Sequence, residues 1–134
     1  MSKKAVKHAI SLAASTGASL VALKVVPRYP VSFFDGSATL SVETVSEAEK
    51  KWVTDAETQL DAVAKEAQAA GVKAKTAVVK SDLIAESIIS AARKHKADLV
   101  VMASHGRKGL KRILLGSEAL AALTHSELPV LILR

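Results

Sequence analysis

No cysteine occurs anywhere in the 134 residues, which excludes disulfide staples and thiolate metal sites and fits a reducing compartment. Aromatic side chains are almost as scarce, at 3% against 49% hydrophobic residues overall. A core must therefore be assembled from Ala, Val, Leu and Ile, which favours helices packed closely on a sheet over an aromatic-rich β sandwich. No apolar run approaches the roughly 18 to 20 residues that span a bilayer. The opening Met1-Ser2-Lys3-Lys4 carries the positive charge of a signal peptide, but Lys7 and His8 interrupt the apolar run such a peptide needs next, so that reading is rejected. These absences predict a cytoplasmic protein. The length suits one domain, residues 1–134, with room for a real core.

Charge is present, and it is lopsided. The formal net charge is +6. Arg93, Lys94, Lys96, Arg107, Lys108, Lys111 and Arg112 fall close together, with only Asp98 to oppose them. Such a surface attracts phosphorylated small molecules, nucleic acid or anionic lipid without choosing among them, and it equally describes a solvated lysine-rich face.

Hydrophobic spacing predicts the elements. Ala5, Val6, Ala9, Ile10, Leu12 and Ala13 recur at helical intervals and Gly17 supplies a left-handed stop. Leu20 to Val26 reads as a buried strand ending at Pro27. Residues 27–41 read as a loop in which Phe33 and Phe34 serve as an anchor, a lid or a partner contact. From Val42 to Ala70, the stripe Val45, Ala48, Trp52, Ala56, Leu60, Val63 and Ala67 predicts a long amphipathic helix closed by Gly71, with Trp52 in the core. A half-exposed edge strand comes next over residues 73–79, and Asp82 is placed to cap a helix that buries Ile84, Ile88, Ile89 and Ala92. Leu99 to Ala103 reads as a second buried strand, Ser117 to Thr124 as a helix, and Leu128 to Leu133 as the last strand. Strands alternating with helices predict an α/β fold: an open, mostly parallel sheet with helices on both faces.

The stretch Ala103-Ser104-His105-Gly106-Arg107-Lys108-Gly109-Leu110-Lys111-Arg112-Ile113-Leu114-Leu115-Gly116-Ser117 runs from a buried strand to a helix start. In a parallel sheet that is the carboxyl edge, where ligands bind. Gly106 permits close backbone approach, and Gly116-Ser117 offers amides and a hydroxyl at a helix N-terminus, which suits an anion. The same residues also describe an ordinary loop with a routine helix cap. Neither a Walker loop nor a GxGxxG fingerprint is present.

This pattern resembles the universal stress protein motif Gly-x2-Gly-x9-Gly-Ser/Thr, laid over Ala103, Gly106, Gly116 and Ser117. The Met102-Ala103-Ser104-His105-Gly106-Arg107 approach, the Ile113 to Ser117 run and the closing Leu128-Pro129-Val130-Leu131-Ile132 are also similar to that family, and the likeness covers essentially the whole chain. The resemblance implies an adenine nucleotide alpha hydrolase-like fold and a small stress-response module that binds ATP, alone or with magnesium. It further implies contacts from Val25, Met102, Ala103, Gly106, Gly116, Ser117, Glu118 and Ala119. It implies a homodimer through antiparallel pairing of Val130 to Leu133, a strand whose edge position invites a partner.

Two departures stand out. Ala103 occupies the first glycine position of the motif, and a left-handed backbone there would cost alanine on the order of 1 kcal/mol. The family's opening strand, with its Asp-Gly-Ser-type loop, also has no counterpart, because Met1-Ser2-Lys3-Lys4 leads directly into the first helix. In the family order 3-2-1-4-5 that strand is central, so Leu20 to Val26 and Leu99 to Ala103 lack their shared neighbour. Unpaired buried backbone groups cost about 1 to 3 kcal/mol each. Three remedies are open: the strands close on each other, a second copy supplies a segment, or residues upstream do.

Catalytic signals are weak. His8, His95, His105 and His125 show no metal-ligand spacing, and each reads as a surface or capping residue, with His105 alone in the loop. Ser104, Ser117 and Asp98 form no recognisable nucleophile constellation, so at most weak ATP hydrolysis is expected and no metal site. The alternative function is a dimeric interaction protein of the same fold with a degenerate site. Nucleic-acid binding is disfavoured because interleaved aromatics are missing.

Overall fold

The computed structural model describes residues 2–28, 42–104 and 115–134, with side chains omitted for residues 42 and 43. The elements in chain order are α1 (Lys3–Thr16), β1 (Leu20–Val26), α2 (Val42–Ala69), β2 (Ala74–Lys80), α3 (Ile84–Lys94), β3 (Val100–Ala103), α4 (Ser117–His125) and β4 (Val130–Leu133). Strand and helix alternate throughout, as the periodicity predicts. The segment carrying Phe33 and Phe34 lies outside the described residues.

Local chemistry accounts for most of the boundaries. α1 starts where the Ser2 hydroxyl accepts a hydrogen bond from the Ala5 amide, and stops at Gly17 with φ +71°. α2 is 28 residues long, about 42 Å at the usual helical rise. It turns a stripe of Ala56, Leu60 and Ala67 inward, with Trp52 and Val63 half-buried beside it. Gly71, at φ +78°, turns the chain so that the Val72 amide donates back to the Ala67 carbonyl. Both glycines stand in the left-handed region that a Cβ disfavours.

β1 and β2 pair in parallel from Leu20 with Ala74 to Val26 with Lys80. β3 and β4 pair in parallel from Val100 with Val130 to Ala103 with Leu133. α1 and α2 pack on each other and on β1, where Ile10, Ala13, Ala67 and Val72 form a buried cluster flanked by Val6, Leu20 and Ala74. α3 and α4 pack together as a second helical layer. α1 also packs on β3 and α3 on β1.

Four expectations need correction. The two strand pairs form separate two-stranded sheets, so β1 and β3 do not close on each other. For the same reason these strands are only partly buried: among the residues of β3 none is fully buried, because a cleft runs beside them. Asp82 does not cap α3, whose N-cap is Leu83 without a side-chain bond. Its carboxylate instead accepts from the Arg28 amide at 3.0 Å, tying the exit of β1 to the exit of β2. Leu128 also falls outside the last strand. The Ser126 hydroxyl bonds both the amide and the carbonyl of Leu128, holding a turn until Pro129 has passed.

Candidate functional site

A short network of backbone bonds builds the carboxyl rim. Ser104, buried directly after β3, donates its amide to the Leu133 carbonyl at 2.8 Å and so extends the β3–β4 ladder by one step. Its own carbonyl accepts from the Gly116 amide at 2.7 Å. That second bond brings the start of α4 against the end of β3. No local sequence signal marks Ser104 for this role, beyond a small polar residue following an apolar strand.

At the start of α4, Gly116 is the N-cap with φ −63° and ψ 156° and supplies no capping side chain. The first intrahelical bond runs from the Leu120 amide to the Gly116 carbonyl. Among the described residues, the amides of Ser117, Glu118 and Ala119 meet no acceptor. Free amides and the positive end of the helix dipole therefore coincide at the rim. Ser117 and Glu118 are exposed, whereas Ala119 is buried and anchors the first turn.

The other residues expected at the site take up these positions. Val25 is the penultimate residue of β1, half-buried and in register with Val79. Met102 and Ala103 end β3, half-buried and in register with Ile132 and Leu133. Ala103 has no left-handed backbone, since Lys96 is the one non-glycine residue with positive φ among those described. The cost expected for alanine at this position does not arise. Gly106 and His105 lie outside the described residues. Met102 and Ala103 adjoin α4 through the Ser104 pivot, while Val25 lies near the C-terminal end of β1, outside the residues that line the cleft.

The remaining histidines do not converge. His8 and His125 are exposed and His95 is the C-cap of α3. Among the described residues no cluster of metal-binding side chains occurs, and no helix is long and apolar enough to cross a membrane.

Comparison with known proteins agrees with this architecture. The universal stress protein family matches residues 1–134. Universal stress protein MJ0531 of Methanocaldococcus jannaschii is 37% identical over 134 residues, which is 100% of this chain and 75% of the relative. Among solved structures, the hypothetical protein MJ0577 superposes with a TM-score of 0.80 at 26% identity, covering 98% of this chain and 85% of that one. Two others share the fold at lower identity. A universal stress protein in complex with cAMP gives a TM-score of 0.66 at 22% identity, covering 98% and 87% of the two chains. The universal stress protein from Archaeoglobus fulgidus in complex with dAMP gives 0.63 at 16%, covering 100% and 90%. By sequence and by fold, this chain belongs to the universal stress protein family.

Proposed function

We propose that the protein is a single-domain cytoplasmic stress-response module that binds an adenine nucleotide, ATP with or without magnesium, over the carboxyl rim of its strands. The observation that carries this reading is the set of free amides at Ser117, Glu118 and Ala119, held against the end of β3 by the Ser104–Gly116 bond. Such amides with an uncapped helix N-terminus suit a phosphate group. Gly116 and the Ser117 hydroxyl would line the phosphates together with Gly106, while Val25, Met102 and Ala103 would flank base and ribose. The cAMP and dAMP complexes of proteins with this fold support adenine as the base. Glu118 adds a negative charge to the first turn of α4, and magnesium bound to the nucleotide would offset it.

Binding rather than turnover is the expected activity, since the sequence shows no recognisable nucleophile or general-base constellation, and hydrolysis would be slow at most. Titration calorimetry with Mg-ATP tests the reading, backed by thermal denaturation. Saturable heat and a raised melting temperature are expected. No heat and no shift at millimolar nucleotide would overturn it.

A second reading has its own observation. Leu120, Leu123 and Leu131 are exposed on α4 and β4, and β4 has an unpaired outer edge among the described strands. Homodimerisation by antiparallel pairing of Val130 to Leu133 would cover them. In that reading the fold serves chiefly as an interaction module. Sedimentation at high protein concentration checks it, with a dimer expected and a monomer contradicting it.

A further inference from the structure

α2 packs on both β1 and β2, whereas α3 packs on β1. Between α3 and β2 lies a groove of about 470 Å³. Alternation along β2 decides which side chains reach it. Ala74 packs on the cluster that includes Ala67 of α2, and the Lys80 ammonium pairs with Glu49 of α2 at 3.4 Å. Even-numbered residues of β2 therefore turn toward α2, and Lys75, Ala77 and Val79 turn to the other face. Ala77 and Val79 floor the groove. The backbone is equally specified. The Leu20 amide donates to the Lys73 carbonyl and the Ser81 amide to the Val26 carbonyl, so odd-numbered residues of β2 serve β1. Successive residues of a strand direct N–H and C=O to opposite edges, which leaves those of Thr76 and Val78 on the outer edge. Among the described strands nothing pairs with that edge.

The groove has an apolar end and a basic end. Leu83 lines the first and is 59% exposed. Both of its backbone groups are tied down: its amide donates to the Ser81 hydroxyl at 3.0 Å, and its carbonyl accepts from the Ser87 hydroxyl at 2.7 Å. A large apolar side chain held in water on a fixed backbone adds nothing to the core. Lys94, at the far end of α3, lines the other end, toward the start of β2 where Lys75 stands. Lys75 and Lys94 are exposed and enter no ion pair among the described residues. Glu86 is the one carboxylate among the described lining residues, and it sits in the first turn of α3, on the Leu83 side. Lysines on an edge strand oppose its pairing with an identical chain. A second copy would bring Lys73, Lys75 and Lys80 to meet the same three, so charge favours a different polypeptide of opposite sign.

We infer that this groove is a docking site for an acidic, extended segment of a partner protein, which adds to the outer edge of β2 through Thr76 and Val78 and rests apolar side chains on Ala77, Val79 and Leu83. Main-chain bonds supply the affinity of such strand addition, and alternate side chains the choice of partner. Antiparallel addition is the stronger pairing. It sets an apolar residue of the segment opposite Val79, near Leu83, and an acidic residue four positions later opposite Lys75, roughly 13 Å along the strand. The opposite order would bring the acid toward Glu86. None of the residues assigned to the nucleotide and no part of β4 lines the groove, so the docking site is independent of both readings above.

The test uses the 134-residue protein without nucleotide and a capped synthetic peptide centred on Leu-Thr-Val-Thr-Glu. One control is N-methylated at both threonines, whose amides face β2 in this register. The other carries lysine in place of glutamate. Amide hydrogen exchange at Thr76 and Val78 is expected to slow about tenfold with the first peptide and with neither control. The amides of Ala77 and Val79, already bonded to β1, should change far less. Lys75→Glu should invert the preference, so that the lysine peptide protects Thr76 and Val78 and the glutamate peptide does not. Leu83→Ala, at an exposed position, should keep the fold by circular dichroism and weaken binding of the glutamate peptide severalfold. Equal protection by the N-methylated peptide, no preference for glutamate over lysine, or no protection at millimolar peptide would overturn the proposal. So would protection of Thr76 and Val78 that grows with protein concentration alone, the mark of a second copy on this edge.

Discussion

The half of the molecule around β1 and β2 and the half around β3 and β4 are built to different standards. The first has a seven-residue ladder and encloses Ile10, Leu60, Ala67 and Val72, with Leu60 fully buried. The second has a four-residue ladder, and from α3 onward its buried apolar residues are Ala85, Ala119 and Ala122 among those described. Some of its large side chains stand at the surface, with Leu120 52% and Leu123 46% exposed, and the others described are no more than half-buried. Stability is unevenly distributed when apolar burial is. The N-terminal half supplies a firm platform, and the C-terminal half carries the rim, whose first α4 amides meet no acceptor among the described residues, and the exposed leucines.

The largest expected effect falls on the firm half. Leu60→Ala should lower the unfolding free energy by about 3 kcal/mol, the usual scale for emptying a fully buried leucine site. Urea denaturation measures it, and a loss under about 1 kcal/mol would erase the distinction between the halves. Next comes Gly71→Ala. No atom lies within 4 Å of where its Cβ would stand, so the cost is backbone strain alone, about 1 kcal/mol at a left-handed position.

In the C-terminal half the effects move from stability to binding. Ser117 is exposed at the first position of α4, and alanine is a good helix former there. Ser117→Ala should leave the melting temperature unchanged and weaken nucleotide binding about fivefold, the scale of one lost hydrogen bond near 1 kcal/mol. A calorimetric titration of the variant with Mg-ATP reads this. Smallest of all, Leu123→Ala should alter monomer stability by less than about 0.5 kcal/mol. If Leu123→Ala proved as damaging as Leu60→Ala, the comparison would fail.

What is legible in the sequence is what depends on neighbours in the chain. The stripe through Ala56, Leu60 and Ala67 declares α2, and Gly17 and Gly71 mark turns whose positive φ the structure confirms. Apolar strands alternating with helices are enough to predict parallel pairing. Features that depend on distant partners are not legible. Asp82 has the chemistry of a helix cap, yet it is taken by the Arg28 amide, 54 residues away. Ser104 carries no motif of its own, and its importance arises only when Leu133 and Gly116 arrive on either side of it. The partial burial of β3 is also hidden, because an apolar strand reads the same whether its edge is paired or open. Around the candidate site, the pattern from Ala103 to Ser117 locates the rim, but only the backbone angles exclude the strain expected at Ala103.

Adenine nucleotide at the carboxyl rim is most directly tested by amide chemical-shift mapping of the 134-residue protein during an Mg-ATP titration. Shifts should concentrate at Val25, Met102, Ala103 and Gly116 to Ala119, with Ser19 and Asp98, which precede β1 and β3, unmoved. Shifts clustered at Ser19 and Asp98, or a spectrum unchanged at millimolar nucleotide, would contradict it.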